Sequence, residues 1–443
     1  MRHPRAGDHA TAGQDPAPGH RAVPDGHPAD VPDDAPVFAG AAAEEIDADV
    51  PGAVGHVLET VLRDRVERAR ALDPVFGADI AERVARLTLH GGKRMRPQLL
   101  WWALRGCGGG LEPDQRESAL RLAAALELLQ TCALVQDDVM DASALRRGRP
   151  ALHVELGAQY PAQGPRTSRS LGRAGAILAG DLALAWADDV FAAQQADAGP
   201  KAAPAVREIW REMRTEMVAG QYLDVLDQAT SARSAARAIR AACLKSARYS
   251  VERPLALGAA LAGAGARTTE ALGAAGRCAG IAFQLHDDLL GAFGDPRLTG
   301  KPSGDDLREG KRTYLVAVAR ARAEEHRDRA SLEVLDHRIG AGRLSQAELA
   351  EVRDVLVATG ARAAVEKRIE RLVRRGTDHL ADAALAPGPA HRLRRLLNAA
   401  AGLTDTWPAP GGGGEGPSQH PAGNDEPPPT ACLSGTAGPG EVR

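Results

Sequence analysis

Apolar residues recur at three- and four-residue intervals through most of the chain, in stretches of about 15 to 25 residues dominated by Ala, Leu, Arg and Glu. Period-two alternation of β-branched residues is scarce, so the pattern predicts an all-α body. Helices are expected over 46–72, 80–88, 96–105, 114–140, 174–194, 206–229, 235–264, 268–290, 307–323 and 346–359. Within the fourth, residues 120–135 are apolar on nearly every side except at Glu127 and Gln130, which marks a helix buried all round rather than an amphipathic surface one. Residues 281–290 read the same way. The Pro- and Gly-bearing stretch 154–173 is expected to be a surface loop.

Residues 1–43, rich in Pro, Gly, Ala, Asp and His, and residues 407–443, rich in Gly and Pro, lack a sustained apolar period and are expected to be disordered tails. A single helical bundle over 44–406, built around a deep apolar cavity, is the predicted architecture. A formal net charge of -3 argues against a nucleic-acid binder working through overall basicity. The five cysteines form no C-x-x-C pair and read as reduced thiols of a cytoplasmic protein. No apolar run is expected to span a membrane, and the first residues lack the apolar core of a secretion signal.

The chemistry sits in two acidic clusters about 150 residues apart, each at the end of an apolar run. They are Asp137-Asp138-Val-Met-Asp141 and Asp287-Asp288, the latter followed by Asp295. On a helix Asp137 and Asp141 lie one turn apart on one face, so their carboxylates share a small volume. Like charges so placed repel, and divalent cations relieve the repulsion. Mg2+ takes one or two carboxylates and fills its other positions with water and substrate phosphates. Basic residues flank both clusters. Arg146 and Arg147 follow the first at a turn. Gly91-Gly92-Lys93-Arg94-Met95-Arg96-Pro97 offers backbone N–H groups and cations for a second anion. Lys245-Ser246, Lys301 and Lys311 lie further along. Facing carboxylates with two basic sites imply one diphosphate held through metal and another held by cations alone.

Five ordered signatures then carry a resemblance to the trans-isoprenyl diphosphate synthases of the polyprenyl synthetase family: Gly91 to Pro97; Asp137 to Asp141 with Arg146-Arg147-Gly148; Gly220-Gln221-Tyr222-Leu223-Asp224; Lys245-Ser246; and Phe283-Gln284-Leu285-His286-Asp287-Asp288 with Gly300-Lys301. The resemblance implies a head-to-tail prenyltransferase that ionises an allylic diphosphate and joins it to isopentenyl diphosphate, with three Mg2+ ions and a homodimeric assembly. By motif, Asp137, Asp138, Asp141, Asp287 and Asp288 would hold metal, with Asp295 in support. Arg146, Lys245 and Lys301 would bind the allylic diphosphate, Lys93, Arg96, Arg147 and Gln130 the isopentenyl diphosphate, and Lys311 would also bind substrate. Ser246 and Gln284 would face the allylic cation as neutral dipoles, and the departing diphosphate would take the proton.

Departures from the family pattern are Gly291, where many relatives have a third Asp, Gln130 and Gln136 in place of His, and Ser246 in place of Thr. Product length is expected to follow from Cys132 and Ala133, one turn below Asp137, and Leu129, about 12 Å below it. The two shallow positions are small, which predicts geranylgeranyl diphosphate as main product, with longer chains as the alternative. A class I terpene cyclase and a noncatalytic partner subunit are the competing functions. The first would not need the Gly91–Pro97 anion site, and the second typically lacks one acidic cluster.

Overall fold

The computed structural model describes residues 42–161, 164–197, 202–230, 235–294, 304–308, 310–311, 313–340 and 344–402. The expected tails fall outside these residues except at their inner edge, where Ala43 already opens a helix. The helices in chain order are α1 Ala43–Ala48, α2 Val50–Leu72, α3 Pro74–Phe76, α4 Glu82–Leu89, α5 Met95–Gly106, α6 Pro113–Met140, α7 Leu152–Gln159, α8 Pro165–Asp197, α9 Ala203–Thr230, α10 Ala235–Ala242, α11 Arg253–Leu261, α12 Ala266–Phe293, α13 Asp305–Arg308, α14 Tyr314–Glu325, α15 Arg329–Arg338, α16 Gln346–Ala358, α17 Ala361–Asp382 and α18 Pro387–Ala400. Wider π-helical turns join α3 to α4 (Gly77–Ala81) and α10 to α11 (Cys243–Glu252). Among the described residues the only strands are β1 Leu145–Arg146 and β2 Arg149–Pro150, a two-residue hairpin paired Leu145 with Pro150 and Arg146 with Arg149.

Two of these elements correct the expectation of a loop over 154–173. Helix α7 occupies its first part, and α8 begins at Pro165, a residue suited to the first turn because its missing N–H has no intrahelical partner there. Gly172 lets the two helices touch, since a Cβ there would run into the His153 carbonyl.

Helix α6 is the axis of the larger core. Leu120, Leu122, Leu126, Leu128 and Leu129 are each at most 1 % exposed. Helix α8 packs along α6 through Ala176, Ala179, Ala183 and Ala187, all fully buried, whose small side chains let the two backbones approach closely. A second core forms around the C-terminal half of α12 with α14 to α17, so α12 passes through both. The expectation that no stretch could span a membrane needs correction, because an 18-residue window of α6 has mean hydropathy 1.4. Of that window, 78 % is buried among the other helices, as expected of a core helix.

Candidate active site

The C-terminal ends of α6 and α12 carry the two acidic clusters. Asp137 and Asp138 close α6, and Asp141 caps it with its N–H on the Asp137 carbonyl. The hairpin that follows turns through Arg147 (φ 52°) and Gly148 (φ 75°), two consecutive left-handed residues that make the tight turn natural hairpins favour. It sends the adjacent arginines in different directions. Arg146 folds back on the cluster, with Nε 2.9 Å from Asp138 Oδ1 and Nη2 3.2 Å from Asp137 Oδ2. Arg147 donates to the His90 carbonyl at 3.0 Å, just before the Gly91–Pro97 segment.

The π-helical turn Cys243–Glu252 presents Lys245 and Ser246. Gly220 makes this possible: a Cβ there would stand 2.6 Å from the Lys245 nitrogen, so only glycine lets α9 lie this close. Lys245 Nζ then donates to Asp137 Oδ1 at 3.0 Å and to Asp224 Oδ2 at 2.8 Å, while Gln221 Nε2 donates to Asp137 Oδ1 at 3.0 Å. Burial alone would raise the Asp137 carboxyl, but Lys245, Arg146 and Gln221 hold it below the usual carboxylate range. For Asp138, burial outweighs Arg146 and moves the carboxyl upward.

From Ser246 a chain of hydrogen bonds crosses to α12. The Ser246 hydroxyl donates to Gln284 Oε1 at 2.6 Å, and Gln284 Nε2 donates to Asp288 Oδ1 at 2.9 Å. Asp288 is 7 % exposed, and burial, with the like charges of Asp287 and Asp306, pushes it up to about 7. Asp287 is exposed at the surface of the same turn. A second bridge is made by Lys311, whose Nζ lies 3.3 Å from Asp141 Oδ2 and 3.5 Å from Asp306 Oδ1. The Asp141 side chain is 5 % exposed, and its Oδ1 has no hydrogen-bond partner among the described residues. Asp306, on α13, takes the space that a side chain at Gly291 would fill: a Cβ built there overlaps the Asp306 carboxylate, whose Cγ is 2.8 Å away. Asp295 and Lys301 lie outside the described residues.

Separate from the carboxylates is a basic site on α5 and the loop before it. Lys93 is exposed, and Arg96 donates to Ser250 Oγ at 2.6 Å with its guanidinium 4.8 Å over the Tyr249 ring. The Tyr249 hydroxyl in turn donates to Gln130 Oε1 at 3.1 Å. Arg94 serves structure instead, donating to the Pro51 and Leu89 carbonyls. Glu127, 7 % exposed, is pushed upward by burial and drawn back by Arg96, Arg94 and Arg147, so it is the common counter-charge of the site. Gln136 does not join it; its amide donates to Asp181 of α8 at 3.1 Å. Below Asp137, Cys132 and Leu129 are buried and Ala133 is half-buried.

Sequence reasoning had named the Gly220–Asp224 signature without roles for Gln221 and Asp224, and had noted Glu127 only as a polar exception. Tyr249 and Asp306 it missed. A buried Glu in an otherwise apolar helix, near three arginines, is the one signal that would have pointed to its role.

Residues 78–353 match the family model described as polyprenyl synthetase. The chain belongs to the polyprenyl synthetase family. Among its relatives is a geranylfarnesyl diphosphate synthase of Aeropyrum pernix, 33 % identical over 71 % of this chain and 92 % of the relative. A (2E,6E)-farnesyl diphosphate synthase of Mycobacterium tuberculosis is 34 % identical over 69 % of this chain and 78 % of its own. Among solved structures, a geranylgeranyl pyrophosphate synthase of Corynebacterium glutamicum, complexed with isoprenyl diphosphate and magnesium, superposes with a TM-score of 0.71 at 36 % identity, over 79 % of this chain and 98 % of the other. The family and its fold are those expected from the five signatures.

Proposed function

We propose that the chain is a Mg2+-dependent, head-to-tail prenyltransferase that condenses isopentenyl diphosphate with allylic diphosphates and makes mainly geranylgeranyl diphosphate. One observation carries the reading: Lys245 donates to Asp137 of the first acidic cluster while its chain neighbour Ser246 reaches Asp288 of the second through Gln284, and a separate basic site has its own buried counter-charge in Glu127. Two anion sites of different kind suit two diphosphates, where a cyclase would need one.

The donor set fits magnesium. Among the described residues no three His, Cys, Asp or Glu side chains form a closed cage. Mg2+ in phosphate-transfer sites needs only one or two carboxylates, with substrate oxygens and water completing the shell. The buried Asp141 Oδ1, without a hydrogen-bond partner among the described residues, is an acceptor such an ion would suit. Asp137, Asp138, Asp141, Asp287 and Asp288 would hold the ions, with Asp306 beside them. When bound, magnesium neutralises charge developing on a leaving diphosphate.

The remaining work falls to side chains. Arg146, Lys245 and Lys311 already stand at the carboxylates and would donate to the allylic diphosphate. Lys93, Arg96, Arg147 and Gln130 would hold the isopentenyl diphosphate. Gln130 Oε1 is engaged by Tyr249, which leaves its NH2 to donate to the anion. Ser246 and Gln284 are locked to each other, so their oxygens offer oriented neutral dipoles that stabilise an allylic cation without bonding to it. The noncatalytic reading loses its support, because Asp306 fills the space left by Gly291. Small residues at 132 and 133 favour a product longer than farnesyl diphosphate. The homodimer belongs to the same proposal, supported by the exposed Ile177 and Leu178 of α8 and Val218 and Tyr222 of α9.

Incubating the purified chain with labelled isopentenyl diphosphate, each allylic starter in turn and Mg2+ tests the reading. Consumption of isopentenyl diphosphate and a geranylgeranyl product are expected, both lost on chelation. A folded chain that leaves isopentenyl diphosphate unreacted would refute it.

A further inference from the structure

The π-helical turn Cys243–Glu252 has two differently occupied faces. Its front serves both anion sites: Lys245 donates to Asp137 and Ser246 to Gln284 at the carboxylates, while Tyr249 donates to Gln130 and Ser250 accepts from Arg96 on the basic side. Lys245 and Tyr249 are four residues apart, as are Ser246 and Ser250, so the pitch of the turn sets how one site stands to the other. Its back carries a lattice of ions. Arg248 Nη1 stands 2.9 Å from Glu216 Oε1 of α9, and Arg248 Nε stands 3.6 Å from Glu252 Oε2 at the end of the turn. Glu216 also takes Arg253 of α11, Nε to Oε2 at 2.8 Å, and Glu252 also takes Arg277 of α12. Glu212 adds a further carboxylate 2.8 Å from Arg253 Nη2.

Burial makes this lattice costly. Glu216, Glu252 and Arg253 are 9 %, 6 % and 8 % exposed, and apolar residues of similar size in place of such ions commonly leave stability unchanged or raised. Stability alone therefore does not account for it. Specification of one geometry does, because a π-turn has a ready competitor: drawn back into a regular α-helix it would slip by one residue, turning its two ends by about 100° against each other. Lys245 and Ser246 could not then face their partners while Tyr249 and Ser250 faced theirs. Glycines let α12 lie directly against the turn, since a Cβ at Gly276 would stand 2.9 Å from Glu252 Cα and one at Gly280 would strike Ala247. Among the described residues Arg248 is the side chain in ion-pair contact with both Glu216 and Glu252, and so joins the α9 half of the lattice to the α12 half. Its Nε and Glu252 Oε2 are buried without a hydrogen bond among the described residues, so charge holds that contact.

We propose that Arg248 is a positioning residue: paired with Glu216 and Glu252, it locks the register of the π-turn and so aligns the two diphosphate sites with each other. The inference rests on the prenyltransferase reading above and adds to it a residue that stands outside both sites. Arg248 can be removed without stranding a carboxylate, since Glu216 keeps Arg253 and Glu252 keeps Arg277. Its loss therefore frees the turn and leaves the rest of the lattice paired.

The test is steady-state kinetics of the full-length chain with Mg2+, labelled isopentenyl diphosphate and an allylic starter, well below the melting temperature of each variant. Arg248→Met, Arg248→Lys and Tyr249→Phe are compared with the wild type, and each Arg248 variant is also combined with Tyr249→Phe. Loss of about one hydrogen bond at each site should raise both KM values by about 2–10-fold in Arg248→Met, and displacement of the reacting ends should lower kcat by up to about 100-fold. Lysine keeps the charge but has no fork to span two carboxylates, so Arg248→Lys should show the same pattern at smaller size. Tyr249→Phe, which raises the KM for isopentenyl diphosphate in the wild-type chain, should change it by less than about twofold once Arg248 is replaced by methionine, because the hydroxyl is already out of place. A brace without a positioning role would lower the melting temperature and the active fraction and leave both KM values alone. If Arg248→Met does not melt cooperatively, Arg248→Lys decides. An active wild-type chain whose folded Arg248 variants keep both KM values, shift only one, or combine additively with Tyr249→Phe overturns the role of Arg248 alone. A wild-type chain that makes no prenyl diphosphate overturns the underlying reading.

Discussion

Gly291 is where the second acidic cluster departs from its family, and a single methyl group there tests what replaces the missing carboxylate. In an open helix, Gly→Ala stabilises by about 1 kcal/mol through backbone entropy. At Gly291 the new Cβ would overlap the Asp306 carboxylate, with Cγ at 2.8 Å, and Asp306 is anchored by its Lys311 contact and by the Lys311 N–H on its carbonyl at 2.8 Å. Overpacking of this kind costs about 1–3 kcal/mol. The clash outweighs the propensity gain, so Gly291→Ala should destabilise the chain by about 1 kcal/mol. It should also weaken apparent magnesium affinity by about tenfold, the cost typical of disturbing a supporting carboxylate. In an Asp306→Ala background the nearest atom becomes the residue-306 Cβ, at 3.4 Å, which is ordinary contact. There the same substitution should stabilise by about 1 kcal/mol, giving a coupling of about 2 kcal/mol. Gly291→Asp restores the family pattern yet places two carboxylates at one point, and should cost more than alanine. Urea denaturation of the four chains of the cycle, at constant m-value, together with magnesium titrations of turnover, measures both effects. If Gly291→Ala is stabilising with Asp306 intact, the reasoning fails.

Other consequences follow from single contacts. Ala133→Phe narrows the well one turn below Asp137 and should shorten the main product to farnesyl diphosphate; an unchanged profile sinks the proposed path of the chain. Tyr249→Phe removes the hydroxyl that orients Gln130, a bond worth about 1 kcal/mol, so KM for isopentenyl diphosphate should rise by about 2–10-fold while KM for the allylic partner holds. Equal changes in both constants would refute that role. Asp288 is raised to about 7, so the folded chain retains its proton between about pH 4 and about pH 7, where the unfolded chain has lost it. Metal-free stability should therefore fall across that range, by on the order of 4 kcal/mol at most. Asp288→Asn should flatten the slope in thermal melts, and an unaltered slope excludes Asp288 as its source.

Much of this was legible in the chain because periodicity and charge are local properties. The apolar run of α6 betrayed its burial, and the spacing of Asp137 and Asp141 placed both at one helix end. What escaped depends on contacts between distant segments. The stretch 235–264 reads as one helix, yet it widens into a π-turn over Cys243–Glu252 just before Pro254, whose missing N–H and ring disfavour a regular ladder. That widening brings Lys245, Ser246 and Tyr249 into the site together, and no periodicity encodes it. Helix α17 has an interior stripe of Val365, Ile369, Leu372, Gly376 and Leu380, diluted by so many Arg and Glu that it was not singled out. The exchange of a side chain at 291 for one from 306 is invisible until α13 is seen folded against α12.

The cations of the site have two employments under the proposed reading, and this explains why so many carboxylates can stand together before any metal arrives. Lys245 and Arg146 neutralise Asp137, Arg146 grips Asp138, and Lys311 spans Asp141 and Asp306. Each is also a group placed to receive a diphosphate oxygen. The balance varies from one carboxylate to the next: Lys245 and Arg146 hold Asp137 down, burial outweighs Arg146 at Asp138, and at Asp288 burial with the like charges of Asp287 and Asp306 drives the group up. Were divalent ions held by Asp137, Asp138 and Asp141, Lys245, Arg146 and Lys311 would be released from them and free to donate to a diphosphate. On that reading metal and substrate binding would be coupled through a shared set of counter-ions, and the coupling would be reciprocal. In the basic site Glu127 is the counter-charge felt by Arg96, Arg94 and Arg147, and on the proposed reading their excess positive charge would receive the second diphosphate without metal. On the proposed reading one counter-charge would be displaced on binding and the other would stay, which is the electrostatic difference between a leaving group and an anchored one.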